Sequence, residues 1–497
     1  MNTMKKYIFS IFIALLLFLC LSGSVYADDT GYIIQLKEGY VPDASYGLEL
    51  INEGCRLYYT DDRQIESKIG EHIEAISENY MIESPDFAPA PYVAPSPSFS
   101  LASADTYYSR QWALGAINAE YAWDMATYGN DIKVAVIDSG YSYHPDLDAN
   151  VLPGENFFVT VGNGVDDFSD FSTTDVTDNI GHGTHVSGII AAVANNGKGI
   201  AGIAPKAKIV PLKCFDKNPD TGADYGTSLM MLANAICDAV DEHGCQIINM
   251  SWVASENTDL LKAVIDYAYG KGTILVAAAG NDGNTTMYYP AVYSNVIGVA
   301  SIDSSLNKSS FSNYNTSVTV AAPGSSIIST YIIGSKNTYA SASGTSQATP
   351  MISAMAAIAL SAKPDLTNAE FMEILTQTAT DLGDEGYDTS FGYGLVNVEA
   401  MLNKITENSD GYISPVNYRN GKPCFVIKNT SGKTNMKYLA GFADYNEAKT
   451  QITYCNAKAI TLGMDETAEI SHENVCNNPS VFFWSIPRMK PLWYKRQ

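Results

Sequence analysis

The chain has 497 residues, 46% of them hydrophobic and 17% charged, with 54 Asp and Glu against 30 Lys and Arg and a formal net charge of -24. That length and apolar content can bury a sizeable core and exceed one ordinary domain, and so acidic a surface repels phosphates, which excludes nucleic acid and anionic lipid as partners. Its eight cysteines contain no C-x-x-C pair, which argues against a zinc or redox centre; buried free thiols are expected at most positions, with one bridge in the C-terminal segment as the alternative.

Two lysines within residues 1–6, an apolar run over 7–21 and Val25-Tyr26-Ala27 ahead of Asp28 make up the three parts of a secretory signal peptide, so residues 1–27 are expected to be removed on export. The run is shorter than the ~20 residues of a membrane span. Free secretion is preferred, with attachment at the cell surface as the alternative. Residues 31–36 read as a strand, 62–76 as a helix and 80–83 as a short strand, giving a small α+β unit over 28–84. The Pro-, Ala- and Ser-rich stretch 85–104 is an extended linker open to cleavage.

Over 105–404, apolar β runs at 132–137, 208–214, 246–250, 273–278 and 296–300 alternate with helical stretches. The pattern predicts an α/β fold with a doubly wound, mostly parallel sheet, whose chemistry sits beyond the carboxyl ends of the strands. Residues 405–497 shift to short alternating stretches rich in Tyr, Thr and Asn, the pattern of a small C-terminal β domain.

Four segments carry chemistry. The run 134–137 ends in Asp138-Ser139-Gly140, placing a carboxylate at the sheet edge, although many strands end in a capping Asp. Gly181-His182-Gly183-Thr184-His185 opens an apolar helix; the two histidines lack the glutamate of an H-E-x-x-H metal motif. Ser343-Gly344-Thr345-Ser346 leads into the apolar run 351–360, which puts Ser346 at a helix N-terminus among free N–H groups, with Pro350 in the first turn. A further strand, 273–279, is followed by Gly280-Asn281-Asp282-Gly283, which brings an amide to the same edge. A serine hydroxyl is a poor nucleophile until an imidazole takes its proton, and the imidazole needs a carboxylate to fix its tautomer. The chain supplies all three in the order Asp, His, Ser.

Together with Asn249-Met250-Ser251, these segments resemble the subtilisin family over about residues 105–404. The resemblance implies a serine endopeptidase working through an acyl-enzyme, with Asp138 as orienting carboxylate, His182 rather than His185 as general base, Ser346 as nucleophile and Asn281 as oxyanion donor. It further implies a substrate site lined by Ser251, Trp252, Val253, Gly280 and Tyr288. No cofactor for chemistry is implied. Residues 28–84 resemble the family's inhibitory prodomain, its 80–84 end occupying the active site until cleavage between Ser84 and Asp105. The expected partners are a polypeptide substrate and the chain's own propeptide, and the enzyme is expected to be a monomer.

The chain also departs from the family. Trp252-Val253-Ala254 stands where relatives carry glycines, which is expected to narrow the groove, and Tyr288 stands where they carry a small residue, which is expected to make the specificity pocket shallow. Gln347 replaces an oxidisable Met, so tolerance of mild peroxide is expected. His144-Pro145-Asp146-Leu147 and Asn195-Asn196-Gly197 resemble a structural calcium site, with Asp146, Asn195 and Asn196 as ligands. Asp166, Asp167, Asp170, Asp175 and Asp178 read as a solvated acidic loop. The alternative functions are a dedicated leader- or precursor-processing protease of narrow specificity, and a noncatalytic surface-binding protein whose working part is 405–497.

Overall fold

The computed structural model describes residues 31–85, 89–91, 105–125, 127–158, 174–217, 222, 224–334 and 336–406, and shorter stretches between 412 and 495. The expected signal segment 1–27, most of the linker 85–104 and Asp166, Asp167 and Asp170 lie outside the described residues.

The apolar runs of the central region form one seven-stranded sheet. Its order is Val320–Pro323, Ile297–Ile302, Ile274–Ala278, Ile247–Met250, Lys133–Asp138, Lys208–Lys213 and Glu155–Asn156, and every neighbouring pair is parallel. Side chains alternate across a strand, so one run feeds two cores. Val134 and Val136 join a core with the helices His182–Ala191 and Thr345–Ala362, while Ala135 and Ile137 join one with the helices Leu229–Asp241 and Asp259–Gly270. Covering both faces explains why these strands read as continuous apolar runs. Parallel strands also bring all their carboxyl ends to one edge, where Asp138 ends its strand and Ser251 and Asn281 follow theirs.

Residues 31–82 form an antiparallel sheet in the order Glu49–Asn52, Leu57–Thr60, Tyr32–Leu36, Ile73–Glu78, with one short helix, Ile65–Ile69. The helix expected over 62–76 is therefore half right. Ile65 and Ile69, one turn apart, fill the small core beside Ile34 and Leu36, whereas residues 73–78 gain backbone partners on the open edge of Tyr32–Leu36, and sheet pairing wins over local propensity. This unit packs on the helices Leu229–Asp241 and Asp259–Gly270.

Beyond the helix Val398–Thr406, the described residues of the C-terminal segment form two four-stranded sheets, the β character its composition predicts. Phe425, Ile427, Tyr438 and Phe442 form its core. It is joined to the central region by Tyr412 OH on Thr127 Oγ1 at 2.5 Å and by Lys428 Nζ donating to Tyr121 OH at 2.6 Å.

Cys214 and Cys245 are buried free thiols, as expected, and Cys424 is buried. Cys55 and Cys237 instead form a disulfide with Cα atoms 6.0 Å apart, which corrects the expectation of free thiols there. No spacing signal links two cysteines 182 positions apart; only the packing of residues 31–82 on the Leu229–Asp241 helix brings them together.

Candidate active site

The strand Lys133–Asp138 delivers Asp138 to the carboxyl edge of the sheet, and the helix His182–Ala191 begins there with His182; both residues are fully buried. Nδ1 of His182 lies 2.8 and 2.9 Å from the two carboxylate oxygens of Asp138, and the N–H of Ser139 donates to Oδ1 at 2.7 Å. A carboxylate on Nδ1 keeps the proton on that nitrogen and leaves Nε2 as the basic one. His185 faces elsewhere. Its Nε2 is 3.1 Å from the Ala340 carbonyl, and burial, aided by neighbouring His182, pushes its pKa down to about 3, so it stays neutral.

Asp178 corrects the reading of a solvated acidic loop. Asp175 is exposed, but Asp178 is fully buried and accepts from Ile180 N, Gly181 N, Thr184 N, Thr184 Oγ1 and Ser139 Oγ at 2.6–3.1 Å. It thereby satisfies N–H groups at the start of the helix that carries His182 and ties that start to the residue beside Asp138. Burial pushes its pKa up, against the hydrogen bonds from Gly181, Thr184 and Ser139. Its position three residues ahead of a Gly-His helix start is the signal that could have found it.

Ser346 is the second residue of the helix Thr345–Ala362, which packs against the helix of His182. It is 4% exposed, and its Oγ donates to the Ser251 carbonyl at 3.0 Å. Pro350 proves to be the sixth helical residue rather than part of the first turn. Proline has no N–H, so the carbonyl four residues back, that of Ser346, loses its helical donor. The Ser251 hydroxyl takes that place at 2.9 Å; Asn249 Nδ2 donates to it at 2.9 Å, and Ser353 Oγ donates to Asn249 Oδ1 at 2.8 Å.

The side chain of Asn281 is held by Thr345. Its Oδ1 accepts from Thr345 N at 2.8 Å and Thr345 Oγ1 at 2.9 Å, while Gly280 N donates to the same hydroxyl at 3.2 Å. With its oxygen engaged, Asn281 presents its amide nitrogen. A Cβ at Gly344 would stand 3.5 Å from that nitrogen and 3.6 Å from Ser346 N. The two donors thus border one small space, and the side-chain oxygen of Gln347, 2.7 Å from the same point, borders it as well.

Among the residues expected to line a substrate site, Ser251 is fully buried and Val253 half-buried. Trp252 corrects its expectation: at 1% exposure it packs in the core with Met250 and Ala254, so its indole does not narrow the groove. The half-buried ring of Tyr288 lies 2.6 Å from where a Cβ of Gly280 would stand, closing the space beside that glycine. Burial and a hydrogen bond to Asp282 raise its pKa. The sequence reading missed the edge strand Thr227–Ser228, which pairs antiparallel with Met81–Ile82; so short a polar stretch carries no strand signal of its own.

The residues expected at a calcium site come together only in part. Buried Asp146 accepts from Asn196 Nδ2 at 2.7 Å, Ile200 N at 3.0 Å and Tyr339 OH at 3.1 Å. Asn195 joins through its backbone N–H, which donates at 2.7 Å to Asp105, a residue the sequence reading passed over; Asn196 N and Gly197 N donate to the same carboxylate at 2.9 and 3.0 Å. Burial pushes the pKa of Asp146 up. No three His, Cys, Asp or Glu side chains gather as a metal cluster among the described residues.

A sequence profile of the Subtilase family matches residues 129–394. The chain is 39% identical over 329 residues to the thermophilic serine proteinase of Bacillus sp. (strain AK1), covering 65% of this chain and 74% of that protein. It is 45% identical over 256 residues to thermitase of Thermoactinomyces vulgaris, covering 51% and 84%. Among solved structures, a protease from Pseudoalteromonas arctica PAMC 21717 superimposes with a TM-score of 0.53 at 30% identity, covering 61% of this chain and 99% of that one. The chain belongs to the subtilase family and is a subtilisin-type serine endopeptidase.

Proposed function

We propose that this endopeptidase is an exported, self-processing zymogen in which Asp138, His182, Ser346 and Asn281 carry the chemistry. The observation that carries the reading is the convergence at one sheet edge of an Asp138-held His182, Ser346 at a helix N-terminus, and the nitrogens of Ser346 and the Asn281 amide bordering the space beside Gly344. On substrate binding, Ser346 Oγ gives up the Ser251 carbonyl and passes its proton to Nε2 of His182 as it attacks the peptide carbonyl. The developing oxyanion is held by Ser346 N–H and Asn281 Nδ2. His182 then protonates the leaving amine, and water activated by the same imidazole releases the acyl group.

The zymogen reading is supported by the strand Met81–Ile82 on Thr227–Ser228, an antiparallel addition of the kind a peptide substrate makes, and by the Tyr80 carbonyl accepting from Leu229 N at 2.9 Å. Export agrees with the Cys55–Cys237 disulfide, since such bonds persist in oxidising compartments. No helix among the described residues is long and apolar enough to cross a membrane. The occluding ring of Tyr288 favours a narrow substrate range over general scavenging. Calcium belongs to the same reading: the carboxylates of Asp105 and Asp146 both meet the loop that carries Asn195 and Asn196, and a hard cation there would neutralise the two carboxylates and brace residues 194–200 without entering the reaction.

The test expresses the chain beside Ser346→Ala and compares reducing gels and N-terminal sequences. Conversion of the wild type alone to a form beginning between Ser84 and Asp105 is the expected result; equal conversion of both, or of neither, contradicts self-processing.

A further inference from the structure

We propose that the Cys55–Cys237 disulfide is a redox latch that keeps the N-terminal unit on the enzyme after the backbone has been cut, so that full activity needs a thiol reductant as a second trigger. The inference rests on the zymogen reading above. Cys55 lies in the N-terminal unit, Cys237 lies in the helix Leu229–Asp241 of the catalytic region, and both are 0% exposed. Every peptide bond between Ser84 and Asp105 lies between the two cysteines in sequence. Cutting there therefore leaves two chains joined by sulfur.

The bond stands inside a contact that also acts without it. Asn52 Nδ2 donates to Asn234 Oδ1 at 2.8 Å and Asp238 Oδ1 at 2.5 Å, and its own Oδ1 accepts from Cys55 N at 3.0 Å. Further along, Asn79 Oδ1 accepts from Met230 N at 3.1 Å, and the strand Met81–Ile82 lies on Thr227–Ser228. A noncovalent inhibitor segment held by such contacts is lost on dilution. A tethered one rebinds at an effective concentration of about millimolar or above, whatever the enzyme concentration, so backbone cleavage alone leaves the groove occupied.

Release is a balanced two-electron exchange. A thiolate of a small dithiol attacks one sulfur of the pair, the other leaves as a thiolate and takes a proton, and the second thiol of the reductant closes on the mixed disulfide. The products are free Cys55, free Cys237 and the oxidised reductant. Because both sulfurs are buried, attack waits until the contact loosens, which the cut favours; the uncut chain resists the same reductant.

The experiment purifies the self-processed wild type without reductant and assays a peptide substrate before and after dithiothreitol. The expected result is one joined species on non-reducing gels, two on reducing gels, and an activity gain of at least roughly tenfold with reductant. The double variant Cys55→Ser/Cys237→Ser is expected to be active once processed and indifferent to dithiothreitol. A processed wild type that is fully active without reductant, or whose fragment separates on non-reducing gels, overturns the latch. If the double variant does not fold, the wild-type measurement still decides. The Ser346→Ala chain, cut in 85–104 by an added protease, reads the tether apart from self-processing: two chains joined only without reductant support the latch even where self-processing fails, and chains that separate without reductant sink it.

Discussion

Ser251 and Ser346 exchange hydrogen bonds in both directions: the Ser251 hydroxyl donates to the Ser346 carbonyl at 2.9 Å, and the Ser346 hydroxyl donates to the Ser251 carbonyl at 3.0 Å. The first bond replaces the N–H that Pro350 lacks. Ser251→Ala then leaves a buried carbonyl unsatisfied and is expected to cost about 1–3 kcal/mol. Pro350→Ala restores the missing donor, so the double variant should recover part of that loss. Urea unfolding of the four chains in a double-mutant cycle measures the coupling, and strictly additive effects would contradict this account.

On the proposed mechanism, Asn281→Ala removes a donor that acts only on the charge developing in the transition state. It is expected to lower kcat by about 10²–10³-fold with little change in KM. Thr345→Val keeps the asparagine but removes one of the two bonds that orient it, and should give a smaller loss in kcat. Steady-state kinetics on one peptide substrate separate the two; a Thr345→Val effect confined to KM would show that the hydroxyl does not position the amide.

On the proposed reading, Tyr288 sets the size of the residue accepted beside Gly280. Wild-type enzyme is expected to cleave poorly after Phe, Tyr and Trp, and Tyr288→Ala to gain at least about tenfold in kcat/KM for such substrates, the scale on which pockets discriminate side-chain size. A peptide panel varied at that one position provides the check. Rapid wild-type cleavage after large aromatics would overturn the assignment.

Asp238 makes the stability of the folded chain depend on pH. Burial, with the charge of Glu155 second and that of Glu242 further behind, pushes its pKa up to about 6, while the Asn52 hydrogen bond and His243 act the other way. The raised value means that the folded chain favours protonated Asp238. Folding is therefore helped in full below the ordinary carboxylate range, and the help is lost as pH rises through about 6. In urea unfolding, the contribution of Asp238 should fall by up to about 1 kcal/mol between pH 5 and 7. Asp238→Asn should flatten that part of the profile, and an unchanged slope would remove Asp238 as its cause.

Calcium is expected to raise Tm, and a chelator to lower it, through Asp105 and Asp146. Asp146→Ala should lower Tm and abolish most of the calcium response, because the loop 194–200 loses a carboxylate on which three donors converge. A full calcium response in that variant would move the site elsewhere.

The four residues assigned to chemistry were legible because each sits in a local motif: a strand ending in Asp138, a Gly-flanked His182, Asn281 after an apolar strand, and Ser346 ahead of an apolar helix. The parallel sheet was legible for a related reason, since strands buried on both faces read as unbroken apolar runs. What stayed hidden is what only tertiary contact creates. Asp178 looks like its acidic neighbours until the helix start folds over it, Trp252 looks like a groove residue until its indole is seen in the core, and nothing near Cys55 points to Cys237. The helix expected past Ile69 failed for the same reason, because the free edge of Tyr32–Leu36 lies outside the local window.

The central claim is that Ser346 is the nucleophile activated by Asp138-held His182. Its most direct test treats the processed, dithiothreitol-reduced enzyme with a fluorophosphonate and maps the adduct by mass spectrometry. One equivalent on Ser346, absent from His182→Ala and Ser346→Ala chains cut in 85–104 by an added protease and reduced in the same way, is the result predicted here; no adduct in an enzyme that cleaves peptides, or an adduct on another residue, would contradict it.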